Sequence, residues 1–155
     1  MSRDDAAFEK LVSALPVTTY HAGETILSDG SKTGRLVILK NGEVAVLKNS
    51  AELARVGQPG AVFGELAALL DQPHLADVRA LQDSDFHVAD VKLLEKEPVV
   101  LLAVARTLAR RFVIVNESLV ALKNEIQAGS SPSGVRNVLA KMETQMMATQ
   151  ILIPF

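Results

Sequence analysis

An α+β fold, with an antiparallel β-barrel or sandwich held between a short N-terminal helix and a long C-terminal one, follows from three features of the sequence. Residues 17–88 are short runs of β-branched and apolar residues, broken every eight to twelve residues by the Gly-containing turns HAGE, DGSKTG, KNGE and GQPG. Ahead of them lies an amphipathic stretch ending at a proline. After Asp90 the apolar residues change to a three-four spacing and keep it for nearly four heptads.

Each element has its own local warrant. Phe8, Leu11, Val12 and Leu15 fall on one face of a helix over residues 3–15, which Ser2 can cap and Pro16 ends. Within the β region, LVILKNGEVAVLKN predicts a hairpin. Asn41-Gly42 supplies the positive φ angles of a two-residue turn between strong strand formers, and Asp29-Gly30 punctuates the preceding strand in the same way. Pro98, preceded by Glu95 and Glu97, suits the first turn of a helix. Leu101, Val104, Leu108, Phe112, Val115, Leu119, Leu122 and Ile126 then form one stripe. That helix can lie on the barrel along its whole length, or its distal part can pair with a second copy of itself. A barrel covers only the first few turns, so a homodimer through the long helix is the expected assembly. AGSSPSG (128–134) is a flexible break. VRNVLAKMETQMMATQILIPF follows as one more helix with an exposed apolar tag. The expected division is therefore a domain over residues 1–127 and a linker with tail over 128–155.

Composition narrows the function. A length of 155 residues fits one domain with a real core, or one domain plus an appendage. The net charge of −2 gives no support for nucleic acid or an anionic membrane as partner. Zero cysteines remove disulfides, thiol catalysis and thiolate metal sites, and suit a reducing compartment. MSRDDAAFEK has no apolar core of a secretory signal. The longest apolar stretch, around Val99 to Ala105, is far short of the roughly 20 residues a membrane span needs. A cytoplasmic protein is expected. His21, His74 and His87 are isolated, with no His-x-His pair, and neither a Gly-x-Ser-x-Gly elbow nor a P-loop is present. Ser13 and Ser118 lie in helical patterns without a histidine at useful spacing. No catalytic residue, metal or cofactor is expected.

The stretch GELAALLDQPHLADVRA (64–80), preceded by Phe63, carries the functional question. With the ordered turn glycines Gly30, Gly42, Gly57 and Gly60, the NGEVAV segment and the long helix, FGELAALL makes about seven-tenths of the chain, Val17 to Ile126, resemble the cyclic nucleotide-binding domain. That is the sensor module of catabolite-activator regulators, protein kinase A regulatory subunits and cyclic nucleotide-gated channels. The resemblance implies an antiparallel β-roll or jelly roll, and it makes FGELA the opening of a phosphate-binding cassette. Gly64 would let the backbone approach a ligand, and Glu65 would accept from a ribose 2′-hydroxyl. The amides around Leu66 and Ala67 would face an anion at a helix N-terminus, where unpaired N–H groups favour negative charge. Glu65 at a helix start also stabilises that helix with no ligand.

The second half of the cassette departs from the family. Where Pro-Arg-Ala-Ala-Thr-Val is expected, this chain has Pro73-His74-Leu75-Ala76-Asp77-Val78. The arginine fork becomes a mostly neutral imidazole, and the hydroxyl donor becomes a carboxylate that cannot donate when ionised. Residues 61–90 hold six acidic side chains against one basic one, Arg79. Arg79 shares a strand face with Asp77 and could pair with it. The expectation is a non-catalytic regulatory module that binds cyclic AMP weakly or not at all and works on another protein. A functional cyclic nucleotide sensor, with a protonated His74 helping, is one alternative. A truncated catabolite-activator-type transcription factor is another, weakened because residues 135–155 are too few for a DNA-reading domain. Arg106, Arg110 and Arg111 on the long helix are either a solvated face or contacts to a ligand base or partner.

Overall fold

The computed structural model describes residues 3–129 and 131–147, so the Ser2 cap and the ILIPF tag lie outside the described residues. The element order is α1 (Arg3–Ser13), β1 (Val17–Tyr20), β2 (Thr25–Leu27), β3 (Arg35–Asn41), β4 (Val44–Lys48), β5 (Ala51–Val56), β6 (Val62–Phe63), α2 (Glu65–Leu70), β7 (Asp77–Ala80), β8 (Ser84–Asp90), α3 (Val91–Lys96), α4 (Pro98–Gln127) and α5 (Pro132–Met147). Two four-stranded sheets, ordered β1-β8-β3-β6 and β2-β7-β4-β5, face each other with antiparallel pairing throughout. This is the expected roll, flanked by helices at both ends.

The strand β3 explains how the layers stack. Leu36, Val37, Ile38 and Leu39 are all buried, because each face of this strand meets a different core. Val37 and Leu39 join Val44, Val46, Phe63, Val78 and Phe86 between the sheets. Phe86, fully buried, takes edge-on contacts from Tyr20 and Phe63. Leu36 and Ile38 face outward and pack with Val12, Leu94, Val100 and Val104 of α1, α3 and α4. A half-solvated strand would alternate, so a continuous apolar run marks the sheet that carries the helices.

The predicted hairpin is not one. LVILKNGEVAVLKN supplies β3 and β4, but β3 pairs with β8 and β6, whereas β4 pairs with β5 and β7. The Asn-Gly segment is a corner between sheets. Its signal was a positive φ, which Gly42 does adopt at 107°. The cause lies in packing, however: a Cβ on Gly42 would overlap Oγ, Cβ and Cα of Ser84 on β8. Ser84 Oγ also accepts from Glu43 N at 3.1 Å, which holds the corner down. The two-residue hairpin is β4–β5, where Asn49 and Ser50 both have positive φ, 50° and 65°, as the favoured hairpin turn requires.

Helix starts follow the sequence. Asp90 caps α3 by accepting from Lys92 N at 2.8 Å, and Pro98 occupies the first turn of α4. The 30-residue α4 has the roll beneath its first turns, where Val100, Val104, Thr107 and Arg111 are buried. Farther along, α5 packs back against α4, and Ser118 is buried there. The expected apolar stripe is thereby split. Val115 and Leu122 are half-covered, whereas Phe112, Leu119 and Ile126 stay exposed.

Substituting Gly42 tests the corner. Gly42→Ala should lower unfolding free energy by about 2 kcal/mol or more, because strained φ and a backbone clash act together. Urea denaturation would read the loss; an unchanged midpoint would contradict the packing at Ser84.

Candidate functional site

Residues 63–80 run from β6 through α2 to β7 and form one wall of the molecule's candidate site. Gly64 opens it with φ 85°, and a Cβ there would overlap the carbonyl oxygen of Arg35 on β3. It would also lie 3.3 Å from His74 Cε1 and from Leu27 Cδ1. Glycine is therefore demanded by β3, before any ligand is considered. Beside it lies a cleft of about 20 Å³ lined by Leu27, Val46, Phe63, Gly64, Ala67, His74, Leu75, Ala76 and Val78. Its wall is apolar apart from one imidazole, and its volume suffices for a water molecule, whereas ligand pockets run to hundreds of Å³.

Glu65 begins α2 and is completely buried. Its Oε1 lies 3.3 Å from Nη1 of Arg111 on α4, itself 3% exposed. Burial pushes the Glu65 carboxyl up to about 7, against the opposing pull of its own backbone amide and of Arg111. Desolvation likewise lowers Arg111, to about 10, so it stays cationic at neutral pH. Glu65 Oε2 and Arg111 Nε and Nη2 are buried without a hydrogen-bond partner among the described residues. Arg111 is thus neither a solvated helix residue nor a contact to a ligand base. Its signal was present in the sequence: Val100, Val104, Thr107 and Arg111 follow a four-three-four spacing, so the arginine continues the buried stripe.

The two altered clamp positions have internal partners. His74, 3% exposed, has Nε2 2.6 Å from Thr33 Oγ1 in the β2–β3 loop. Thr33 Oγ1 already accepts from Arg35 N at 3.1 Å, which leaves its O–H to donate to a neutral ring. Burial, and then the nearby Arg35 charge, hold the His74 pKa below its usual value. A protonated His74 reaching for phosphate, one of the alternatives above, runs against this environment. Backbone bonds reinforce the join: Gly30 N donates to His74 O at 2.8 Å, and His74 N donates to Ser31 O at 2.9 Å. Asp77 Oδ1 accepts from Asp29 N at 2.7 Å, and Asp29 Oδ2 is bridged by Lys48 at 2.7 Å. The carboxylate at position 77 therefore ties down the same loop.

The remaining cassette residues fall where the sequence suggests. Leu66 is half-buried on α2, Ala67 and Ala76 are buried in the cleft wall, and Leu75 lines it. Arg79 is exposed on β7, on the same face as Asp77. The local excess of acid is answered from elsewhere in the chain. Lys32 pairs with Asp71 at 2.9 Å, Lys48 with Asp29, and Arg111 with Glu65. Counting charges over residues 61–90 missed those cations, together with Arg35 and Thr33. His21 lies 3.5 Å from Asp83, and His87 Nδ1 lies 3.5 Å from Leu15 O. Among the described residues no three His, Asp or Glu side chains converge as a metal site would require. No described helix is long and apolar enough to cross a membrane.

Residues 17–97 match the family model of the cyclic nucleotide-binding domain. The chain belongs to that family. A cGMP-dependent protein kinase of Toxoplasma gondii is 40% identical over 76 residues, which is 49% of this chain and 8% of the kinase. The chain thus spans under a tenth of that relative's length. A crystallised cyclic nucleotide-binding domain from Methylobacillus flagellatus KT superposes with a TM-score of 0.59 at 26% identity, covering 72% of this chain and 68% of that one. The catabolite activator protein of Thermus thermophilus matches in fold, with a TM-score of 0.62 at 21% identity over 94% of this chain and 85% of that one. Domains of this kind are regulatory.

The buried carboxyl makes stability depend on pH with a definite sign. Between pH 4.5 and about 7 the folded chain keeps a proton on Glu65 that the unfolded chain has lost. Stability from this group is therefore complete below pH 4.5 and lost as pH rises through 7, by up to about 3 kcal/mol. Thermal melts across this window should show that decline in the native chain and a flatter profile in Glu65→Gln. Identical slopes for the two proteins would contradict the assignment.

Proposed function

We propose that this chain is a non-catalytic regulatory module whose cyclic nucleotide site is self-closed, so that cyclic AMP binds weakly or not at all, and which acts through contacts with protein. The observation that carries this reading is the internal engagement of both clamp positions, His74 with Thr33 and Asp77 with the Asp29 amide. A phosphodiester arriving there loses the charge-assisted hydrogen bonds of an arginine, about 1.5–3 kcal/mol. It also meets a carboxylate, which at about 5 Å and an effective dielectric of ~20 opposes it by about 3 kcal/mol. Together these weaken affinity by three to four orders of magnitude, roughly from micromolar to millimolar. The cleft, about 20 Å³, supports the same reading, since a nucleotide needs far more room.

A functional sensor is the competing reading. It is favoured by one observation, the orphan atoms of Glu65 and Arg111, whose free donors and acceptor would suit the hydroxyls of a sugar. Titration calorimetry of the whole chain with cyclic AMP and cyclic GMP near neutral pH separates the two. We expect no micromolar binding by the native chain, and a gain of about a hundredfold or more in His74→Arg/Asp77→Thr, which restores fork and hydroxyl. Micromolar binding by the native chain would overturn the self-closed reading.

A further inference from the structure

The two sides of α4 differ in kind. One carries Val100, Val104, Thr107, Arg111 and Ser118, all buried where the roll and then α5 pack. The other carries Phe112, Val113, Leu119, Val120 and Ile126, which are 67%, 53%, 58%, 59% and 72% exposed. Five large side chains at such exposure make a contiguous apolar stripe of roughly 500 Å², at the upper end of what a monomer leaves in water. The stripe is also periodic. Phe112, Leu119 and Ile126 recur every seven residues, as do Val113 and Val120, and seven is the repeat of paired helices.

Its centre is polar. Asn116, exposed, stands on the stripe with Phe112 and Val113 four and three residues before it and Leu119 and Val120 three and four after it. Reading outward, the pattern is the same in both directions, apolar at three and four steps either way. A surface with that symmetry about one residue is complementary to itself under a two-fold axis through that residue. A lone asparagine in an apolar seam is the device that fixes register between helices, because any slip buries its amide without a partner.

We propose that a second copy of this chain covers the stripe, its α4 crossing antiparallel to the first so that Asn116 meets the partner's Asn116. In this arrangement Phe112 faces the partner's Val120, and Val113 faces the partner's Leu119. Charge selects the direction: Lys123, seven residues after Asn116, faces the partner's Ala109, whereas a parallel pair would set two lysines together. Since α5 packs against another side of α4, the hairpins α4–α5 of both copies assemble as four helices without displacing either tail helix. The apolar stripe with its polar flanks approaches the ~800 Å² per partner of a stable interface. The inference does not rest on the state of the cassette, because the stripe lies on the side of α4 away from Arg111.

The absence of cysteine from the sequence makes the test direct. Sedimentation of the whole chain at about 0.1 mM, well above a micromolar dissociation constant, should give twice the chain mass. Leu119→Glu should weaken association by about a hundredfold or more while leaving the melting of the roll unchanged, as suits an exposed site. In the otherwise cysteine-free chain, Asn116→Cys should form a disulfide-linked dimer under mild oxidation, and Ile126→Cys should not. A monomer at every concentration, or a dimer indifferent to Leu119→Glu, overturns the proposal. Equal cross-linking at 116 and 126 overturns the antiparallel crossing. Should Leu119→Glu fail to fold, the pair of cysteine variants decides alone.

Discussion

The ion pair between Glu65 and Arg111 fixes how the long helix sits on the cassette, and the architecture of the site depends on it. At 3.3 Å and an effective dielectric of ~20 the attraction is about 5 kcal/mol, and desolvating the two ions costs several kcal/mol each. The pair therefore adds little net stability. Its effect is geometric: a charge buried on α2 accepts one position of α4, the one that brings a guanidinium to it. Val100 and Val104 supply the apolar burial that holds the helix down, and the ion pair chooses its rotation. Three polar atoms of the pair nonetheless remain unsatisfied, so the join is the least settled part of a well-packed interface.

The second half of the cassette has the opposite character. Its backbone and side chains are bonded to the β2–β3 loop, through Gly30, Ser31, Thr33 and the Asp29 amide. A histidine and an aspartate are well suited to this. Each is short enough to reach a neighbouring loop, and each gives one directed bond, whereas an arginine in place of His74 would carry a permanent charge into a buried apolar wall beside Arg35. The two departures from the family pattern thus belong to one local arrangement, in which residues that would point at a ligand stitch two loops together.

Much of this was legible in the residues. Alternation and turn glycines gave the roll, Pro98 and Asp90 the helix starts, and the FGELA segment the cassette. Wherever a partner comes from far along the chain, local pattern failed. The Asn-Gly segment looks like a hairpin because positive φ angles serve hairpins and corners alike; only Ser84, about forty residues on, distinguishes them. Arg111 was read as surface because charge suggests solvent, although its spacing places it on the buried stripe. Thr33 and Arg35 carry no signal of their own, since a threonine in a loop and an arginine at a strand start are ordinary. Their roles arise only when β3 lies beside the cassette.

The corner at Gly42 also bears on how the molecule assembles itself. With consecutive strands β3 and β4 sent to different sheets, neither finds its main partners nearby: β3 waits for β8, and β4 for β7. Those pairings close loops of some thirty to fifty residues, so entropy is lost before any ladder repays it, and topology of this kind folds slowly. During synthesis the first half of the roll must remain an open apolar ribbon until residues 77–90 leave the ribosome. For that interval β3, buried on both faces in the finished protein, is the segment most exposed to misassociation.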